Sequence, residues 1–270
     1  MTTRVLITND DGIAAPGLRW LARAAVDAGL DVVVAAPATE ASGASAALSA
    51  VYADARLAIT KATIAGVDVT AYSVAASPSY IVVLAGLGTF GAVPTLVLSG
   101  INRGANAGYA ILHSGTVGAT LTAANQGIPG LAVSLDVLPA ADADPATGGA
   151  SLSDRLAALD NEALHWATAA NLVAQLIPQA CDLPDGTILN VNVPNRPADD
   201  LAGVRMATLA PFGQVQMAVA ERGEGYIRTS IKQGSDERIE GTDIALLADG
   251  FATVTPVRSI REAPDIKLDL

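Results

Sequence analysis

The chain has 270 residues, which suits one large α/β domain, or one domain with an appendage, and leaves ample length for a core. Its 16 Lys and Arg against 27 Asp and Glu give a net charge of −11, which repels a nucleic-acid backbone and disfavours duplex binding. Half of the composition is apolar, much of it alanine, yet no run approaches the ~20 uninterrupted apolar residues of a transmembrane helix.

Val5-Leu6-Ile7 predicts a buried strand that runs directly into Asn9-Asp10-Asp11-Gly12. Two carboxylates side by side at a strand's carboxyl end repel each other unless a cation lies between them, so a bound hard metal is one reading. A polar turn with a helix N-cap is the other. Pro16 and Gly17 lead into a helix with Leu18, Leu21, Ala22 and Ala25 on one face, ended by Gly29. Asp31-Val32-Val33-Val34-Ala35-Ala36-Pro37 is the next strand, and strand, helix and strand in so short a span make a βαβ unit with a parallel sheet. The small polar segment 39–47, with Ser42-Gly43, follows that strand and is a candidate ligand loop. Residues 57–75 alternate around Gly66 as a hairpin or edge strands, Ser77-Pro78 opens a helix over residues 79–87, and residues 94–98 form another buried strand.

That strand delivers a loop rich in glycine and asparagine, Ser99-Gly100-Ile101-Asn102-Arg103-Gly104-Ala105-Asn106-Ala107-Gly108. His113-Ser114-Gly115-Thr116 then opens a helix whose exposed amides and dipole favour an anion, with an ordinary Ser or Thr cap as the competing reading. Residues 131–135 predict a strand and 136–149 a surface loop rich in Ala, Asp, Pro and Gly. A helix over 160–176, ended by Pro178, has Leu164, Trp166, Ala167, Leu172 and Leu176 as its core stripe, and residues 188–194 form a further strand. From residue 204 the chain turns to short strands broken by Gly213, Gly223 and Gly225, the pattern of a projecting hairpin. Thr242-Asp243 caps a helix over 244–249, and residues 250–256 return a strand. One cysteine, Cys181, excludes an intramolecular disulfide, and with only His113 and His165 beside it any metal is held by oxygen, which favours Mg²⁺, Mn²⁺ or Ca²⁺.

Four segments that follow predicted strands thus carry glycine or oxygen-bearing residues: Asp10 with Asp11, Ser42 with Gly43, Asn102 with Asn106, and Ser114 through Thr116. If the strands are parallel, their carboxyl ends bring these groups into one crevice. The motifs Thr8-Asn9-Asp10-Asp11-Gly12 with Ala15-Pro16-Gly17, Ala36-Pro37 followed by Ser42-Gly43, Ser99-Gly100-Ile101-Asn102-Arg103-Gly104 with Asn106, Ser114-Gly115-Thr116-Val117, Ile188-Leu189-Asn190-Val191-Asn192-Val193-Pro194 and Gly250-Phe251-Ala252-Thr253-Val254-Thr255-Pro256 together resemble the SurE family of metal-dependent survival-protein nucleotidases. They occur in the family's order along almost the entire chain.

The resemblance implies an α/β fold: a Rossmann-like three-layer αβα core with a mostly parallel sheet over about 1–200 and 240–257, a C-terminal β-hairpin arm for oligomerisation over about 204–235, and a tail over 258–270, all one domain. It implies a phosphomonoesterase acting on nucleoside 5′- or 3′-monophosphates, assembled as a dimer or tetramer. Asp10, Asp11, Ser42 and Asn102 would bind one divalent cation per subunit, Mg²⁺ or Mn²⁺, with Ca²⁺ an alternative occupant in a crystal; Asn9, Gly43, Asn106, Ser114, Gly115 and Thr116 would line the phosphate pocket. The expected chemistry is attack by metal-activated water with Asp10 or Asp11 as proton acceptor, and a covalent aspartyl-phosphate is the rival route. Three features depart from the family pattern. The loop 38–47 lacks its basic and imidazole groups, Tyr109-Ala110 replaces an acidic pair, and His113 stands where a tyrosine is common; these bear on substrate preference and rate. A nucleotide- or phosphate-binding module without turnover is therefore the competing class. The N-terminus shows no basic n-region or apolar h-region, so a soluble cytoplasmic protein without a membrane partner is expected.

Overall fold

The computed structural model describes residues 3–137, 159–213, 215–233, 239–262 and 266. Strand β1 (Arg4–Thr8) has Val5, Leu6 and Ile7 fully buried. Pro16 then opens α1 (Pro16–Asp27), its fixed φ suiting the first turn and its missing N–H leaving no orphan donor. The chain continues through β2 (Asp31–Pro37), a small ribbon of β3 (Tyr52–Ala53) and β4 (Arg56–Leu57), the pair β5 (Ile59–Ile64) and β6 (Val67–Val74), α2 (Pro78–Gly86) and β7 (Leu96–Arg103). After α3 (Gly115–Asn125) come β8 (Gly130–Asp136), α4 (Trp166–Cys181), β9 (Thr187–Pro194) and β10 (Val204–Met206). The hairpin β11 (Val215–Gly223) and β12 (Tyr226–Gln233), then α5 (Asp243–Ala248) and β13 (Ala252–Arg258), complete the described elements.

Nine strands form one sheet in the order β10-β13-β9-β8-β7-β1-β2-β6-β5. The six from β9 to β6 are parallel, β5 runs against β6, and β13 against β9. Successive side chains of a strand point to opposite faces, so β1 feeds two cores. Ile7 belongs to the core that includes Leu18 and Leu21 of α1 and Trp166 and Val173 of α4, while Leu6 belongs to the one that includes Ile81 of α2 and Ala119 and Ala123 of α3. Helices on both faces explain why the central strands are continuous apolar runs, not alternating ones. Truncating Ile7 to alanine between these layers would cost about 2–5 kcal/mol.

β1 pairs with β2 on one edge and β7 on the other. The chain moves outward from β1 through β2 and β6 and then returns to its opposite edge, which makes the carboxyl end of β1 a topological switch point, where open α/β sheets bind ligands. Among the described residues no helix is long and apolar enough to cross a membrane.

Some local expectations shift. The segment 99–103, expected as loop, belongs to β7: after an irregularity between Ser99 and Asn102, Asn102 pairs with Ser134 and Arg103 with Leu135 of β8. A bulge lets a partner strand impose extension on residues whose own propensity opposes it. Pro178 lies inside α4, within its last turn, and the helix starts only at Trp166, after a 3-10 turn over Asn161–Ala163. Of the expected stripe, Trp166 and Leu172 are buried in the core and Leu164 and Leu176 pack against it partly buried, while Ala169, Ala170, Val173, Ile177 and Ala180 complete the buried face. Val204–Met206, placed with the arm by the sequence pattern, pairs in parallel with β13 in the main sheet. β11 and β12 pair with each other around Glu224-Gly225. Most of the predicted loop over 136–149 lies outside the described residues.

Candidate active site

At the switch point β1 ends in a turn fastened by its own asparagine. Asn9 Nδ2 donates to the Gly12 carbonyl at 3.0 Å and the Gly12 amide donates to Asn9 Oδ1 at 3.2 Å. Gly12 sits at φ +95°, which L side chains rarely adopt. Asn9 is fully buried, so its amide shapes the turn that projects Asp10 and Asp11 beyond the strand.

Asp10 is 5% exposed and accepts the Thr116 hydroxyl at 2.5 Å. Burial raises its carboxyl above the ordinary range, opposed by the Thr116 hydroxyl and by the amides of Asp10, Thr116 and Gly115. The N-terminus of α3 therefore points at this carboxylate. A Cβ on Gly115 would stand 2.7 Å from Asp10 Oδ2, so only glycine lets the helix approach so closely. Ser114 caps the helix by accepting the Val117 amide at 3.1 Å. Cap and anion site thus coexist at this helix start, and the anion held there in this structure is Asp10 itself.

Asp11 is half-buried. Burial and the neighbouring Asp10 charge push its carboxyl up to about 7; the Glu40 charge adds to this, and the Arg103 amide and guanidinium oppose it. Two adjacent carboxylates whose proton affinities are raised, Asp10 by burial and Asp11 by burial and the Asp10 charge, are a place where a divalent cation gains by displacing a proton.

Two loops flank the pair. The Ala41 amide donates to the Asp10 carbonyl at 2.7 Å, and the Ile13 amide to that of Pro37 at 2.9 Å, which draws the segment 38–47 alongside the turn. Ser42 is exposed and donates its hydroxyl to Glu40 at 2.5 Å; Gly43 is exposed beside it. The far end of this loop rests on α3 and the 3-10 turn before it: Ser45 Oγ donates to the Leu112 carbonyl at 2.5 Å, and a Cβ on Gly118 would stand 2.5 Å from the Ser45 carbonyl oxygen. On the other side Asn102, half-buried at the end of β7, donates its amide to the Gly104 carbonyl at 2.8 Å.

Asn106 is fixed on every side. Its amide N–H donates to Asn192 Oδ1 at 2.8 Å, its side chain donates to Ser134 Oγ at 2.9 Å, and its carbonyl accepts from Asn190 and Asn192, each at 2.8 Å. Asn190 and Asn192, members of β9, are not among the site residues expected from sequence. The available signal is two asparagines two positions apart in a strand of apolar neighbours: they share a face, and buried amides need partners. His113 lies exposed at the end of the 3-10 turn Gly108–His113.

Asp10, Asp11, Gly115 and Thr116 are thus brought into one cluster with the Ser42 and Asn102 loops beside it, while the side chains of Asn9 and Asn106 are engaged within their own supports. Among the described residues no three His, Cys, Asp or Glu side chains gather into a metal cluster, so a cation here would add neutral oxygens to the two carboxylates.

Fold and site define a doubly wound α/β protein with a carboxylate pair at its switch point, faced by a helix N-terminus. The family model for survival protein SurE matches residues 5–214. The chain belongs to the SurE family. It is 36% identical over 262 residues to the 5′-nucleotidase SurE of Rubrobacter xylanophilus, covering 94% of this chain and 91% of that protein. Over 260 residues it is 32% identical to the 5′/3′-nucleotidase SurE of Shigella dysenteriae, covering 94% and 90%. The crystal structure of the SurE protein from Aquifex aeolicus aligns with a TM-score of 0.71 at 25% identity, covering 94% of this chain and 93% of that one.

Proposed function

We propose that this chain is a divalent-metal-dependent phosphomonoesterase that hydrolyses nucleoside 5′- or 3′-monophosphates to nucleoside and phosphate. The names 5′-nucleotidase and 5′/3′-nucleotidase of its relatives support the substrate class. The observation that carries the reading is the buried Asp10 carboxylate, gripped by Thr116 at 2.5 Å and adjoined by Asp11 at the mouth of the sheet.

The donor set fits a hard cation such as Mg²⁺ or Mn²⁺, with Asp10 and Asp11 as carboxylates and Ser42 and Asn102 as neutral oxygens. Bound there, the cation would supply Lewis acidity toward a phosphoryl oxygen and toward water. The remaining work falls to the chain. Thr116 and the first amides of α3 hold Asp10 in one orientation, which leaves the more open Asp11 to accept a proton from the attacking water. The Ser114 hydroxyl, which accepts the Val117 amide and keeps its own proton to give, donates toward a phosphoryl oxygen as charge develops. We read the protein as a cytoplasmic homo-oligomer, dimer or tetramer, joined through the β11–β12 hairpin.

The test is hydrolysis of adenosine 5′-monophosphate, its 3′ isomer and p-nitrophenyl phosphate with Mn²⁺ or Mg²⁺, with and without EDTA, beside Asp10→Asn. Turnover is expected to need the metal and to fall roughly a hundredfold or more in the variant. Nucleotide binding without metal-dependent turnover would overturn the reading in favour of a binding module.

A further inference from the structure

Asp243 is fully buried at the start of α5 and is no part of the proposed catalytic set. Its carboxylate accepts three backbone amides: Gly108 on Oδ2 at 2.7 Å, and Ala210 at 3.0 Å and Ile244 at 2.9 Å on Oδ1. Burial raises its carboxyl above the ordinary range, and the Gly108, Ala210 and Ile244 amides oppose this. Helix capping does not account for it, because Thr242 already caps α5 by accepting the Ala245 amide at 3.4 Å.

The three amides belong to three different segments. Ala210 precedes the hairpin, Ile244 comes after it, and Gly108 begins the turn that ends at Ser114 and the start of α3. Further bonds lock the same junction: the Tyr109 amide donates to the Ala210 carbonyl at 2.9 Å, and the Asp243 amide to the Thr208 carbonyl at 2.8 Å. Gly108 sits at φ +62°, and a Cβ there would run into the Phe212 carbonyl, so this contact is between backbones. A buried carboxylate is a costly fastening unless the position it secures matters. Asn106 has its own anchors on β9, so the stretch that depends on Asp243 runs from Gly108 to Ser114.

We propose that Asp243 is a positioning residue for the phosphate-binding segment, setting the place of Ser114 through the Gly108 amide and tying the Gly108-to-Ser114 stretch to the segments on either side of the hairpin. The proposal rests on the phosphomonoesterase reading of the same site. It separates two properties: the Gly108-to-Ser114 stretch carries Ser114 to the phosphate pocket, whereas Asp10 and Asp11 are carried by the Asn9–Gly12 turn and Asp10 keeps its own bond from Thr116.

Asp243→Asn tests it. The amide oxygen can still accept from Ala210 and Ile244, but the amide nitrogen then faces the Gly108 N–H, donor against donor. With the Mn²⁺-loaded enzyme and p-nitrophenyl phosphate, KM and the inhibition constant of inorganic phosphate are expected to rise together about tenfold, with kcat within about threefold and Mn²⁺ binding by calorimetry within about twofold. A folded variant with unchanged KM and phosphate inhibition, or one that loses Mn²⁺ binding and kcat at unchanged KM, would overturn the inference. If the variant does not fold, hydrogen exchange of the wild-type holoenzyme decides: inorganic phosphate should slow exchange throughout residues 108–114, and exchange there that ignores phosphate defeats the proposal. Wild-type enzyme without metal-dependent turnover would defeat the phosphomonoesterase reading and this inference with it, whereas an active wild type beside an unaltered Asp243→Asn defeats this inference alone.

Discussion

Thr116 donates its hydroxyl to the Asp10 carboxylate across 2.5 Å, joining the first turn of α3 to the end of β1 from 106 residues away. Thr116→Val keeps the branched shape of this fully buried residue and removes only the donor. The loss should cost about 1–3 kcal/mol in stability and raise the proton affinity of Asp10 further, since the hydroxyl is the largest influence lowering it. Mn²⁺ activation is therefore expected to weaken more at about pH 6 than at about pH 8. Activation curves that match the wild type at both values would show that Asp10 does not depend on Thr116.

Gly118 lies under the loop that carries Ser42. A Cβ there would meet the Ser45 carbonyl at 2.5 Å and the Ala46 nitrogen at 2.7 Å, backbone atoms that move only if the loop moves. Gly118→Ala should shift Ser42 and raise the Mn²⁺ activation constant several-fold, with overpacking of about 1–3 kcal/mol offsetting the gain in helix propensity of about 1 kcal/mol. A raised Tm with unchanged Mn²⁺ activation would mean that the loop does not press on α3.

The carboxyl of Asp11, pushed up to about 7 by burial and by Asp10, links stability to pH. An unfolded aspartate titrates near ~3.9, so between these values the folded chain keeps a proton that the unfolded chain has released. Stability from this group is full below the unfolded value and is lost as pH rises through the folded one. In EDTA, the stability of wild type minus that of Asp11→Asn, from urea unfolding, should decline from about pH 4 to about pH 7 by an amount on the order of a few kcal/mol. A difference that stays flat or rises over this range contradicts the assignment.

β11 and β12 pair with each other outside the main sheet, and Tyr226 and Ile227 at its tip are 55% and 62% exposed. An isolated two-stranded ribbon is marginal in water, so a second copy of the chain is the expected cover. Replacing residues 215–233 by a short Gly-Ser link should leave the core folded, because β10 and β13 on either side belong to the nine-stranded sheet, and should lower the mass found by light scattering. An assembly of unchanged mass would rule the hairpin out.

Much of the architecture is readable from local pattern. The β-branched run of β2 and the spacing of β1, α1 and β2 suffice for a parallel sheet, and the Asp10-Asp11 pair at the end of β1 is enough to suspect the switch point. Local pattern fails where a distant partner overrides it. Ser99 to Arg103 reads as loop because glycine and asparagine disfavour strands, but β8 supplies the bonds that extend it. The start of α4 is placed too early because the 3-10 turn over Asn161–Ala163 precedes it, and helix boundaries are set by contacts that local pattern does not contain.

By itself the sequence determined the element types, the apolar core strands and the presence of two adjacent acids at a strand end, since each depends on the nature and spacing of neighbours. Only the tertiary structure decided that Asp10 is the acid gripped by Thr116, that Asn192 reaches Asn106 from 86 residues away, and that Asp243 holds the Gly108 amide from 135 residues away. Those partners are chosen by sheet register and by the docking of loops onto it, and a hydrogen bond survives only a few tenths of an ångström of misplacement, a precision that no local window of sequence contains.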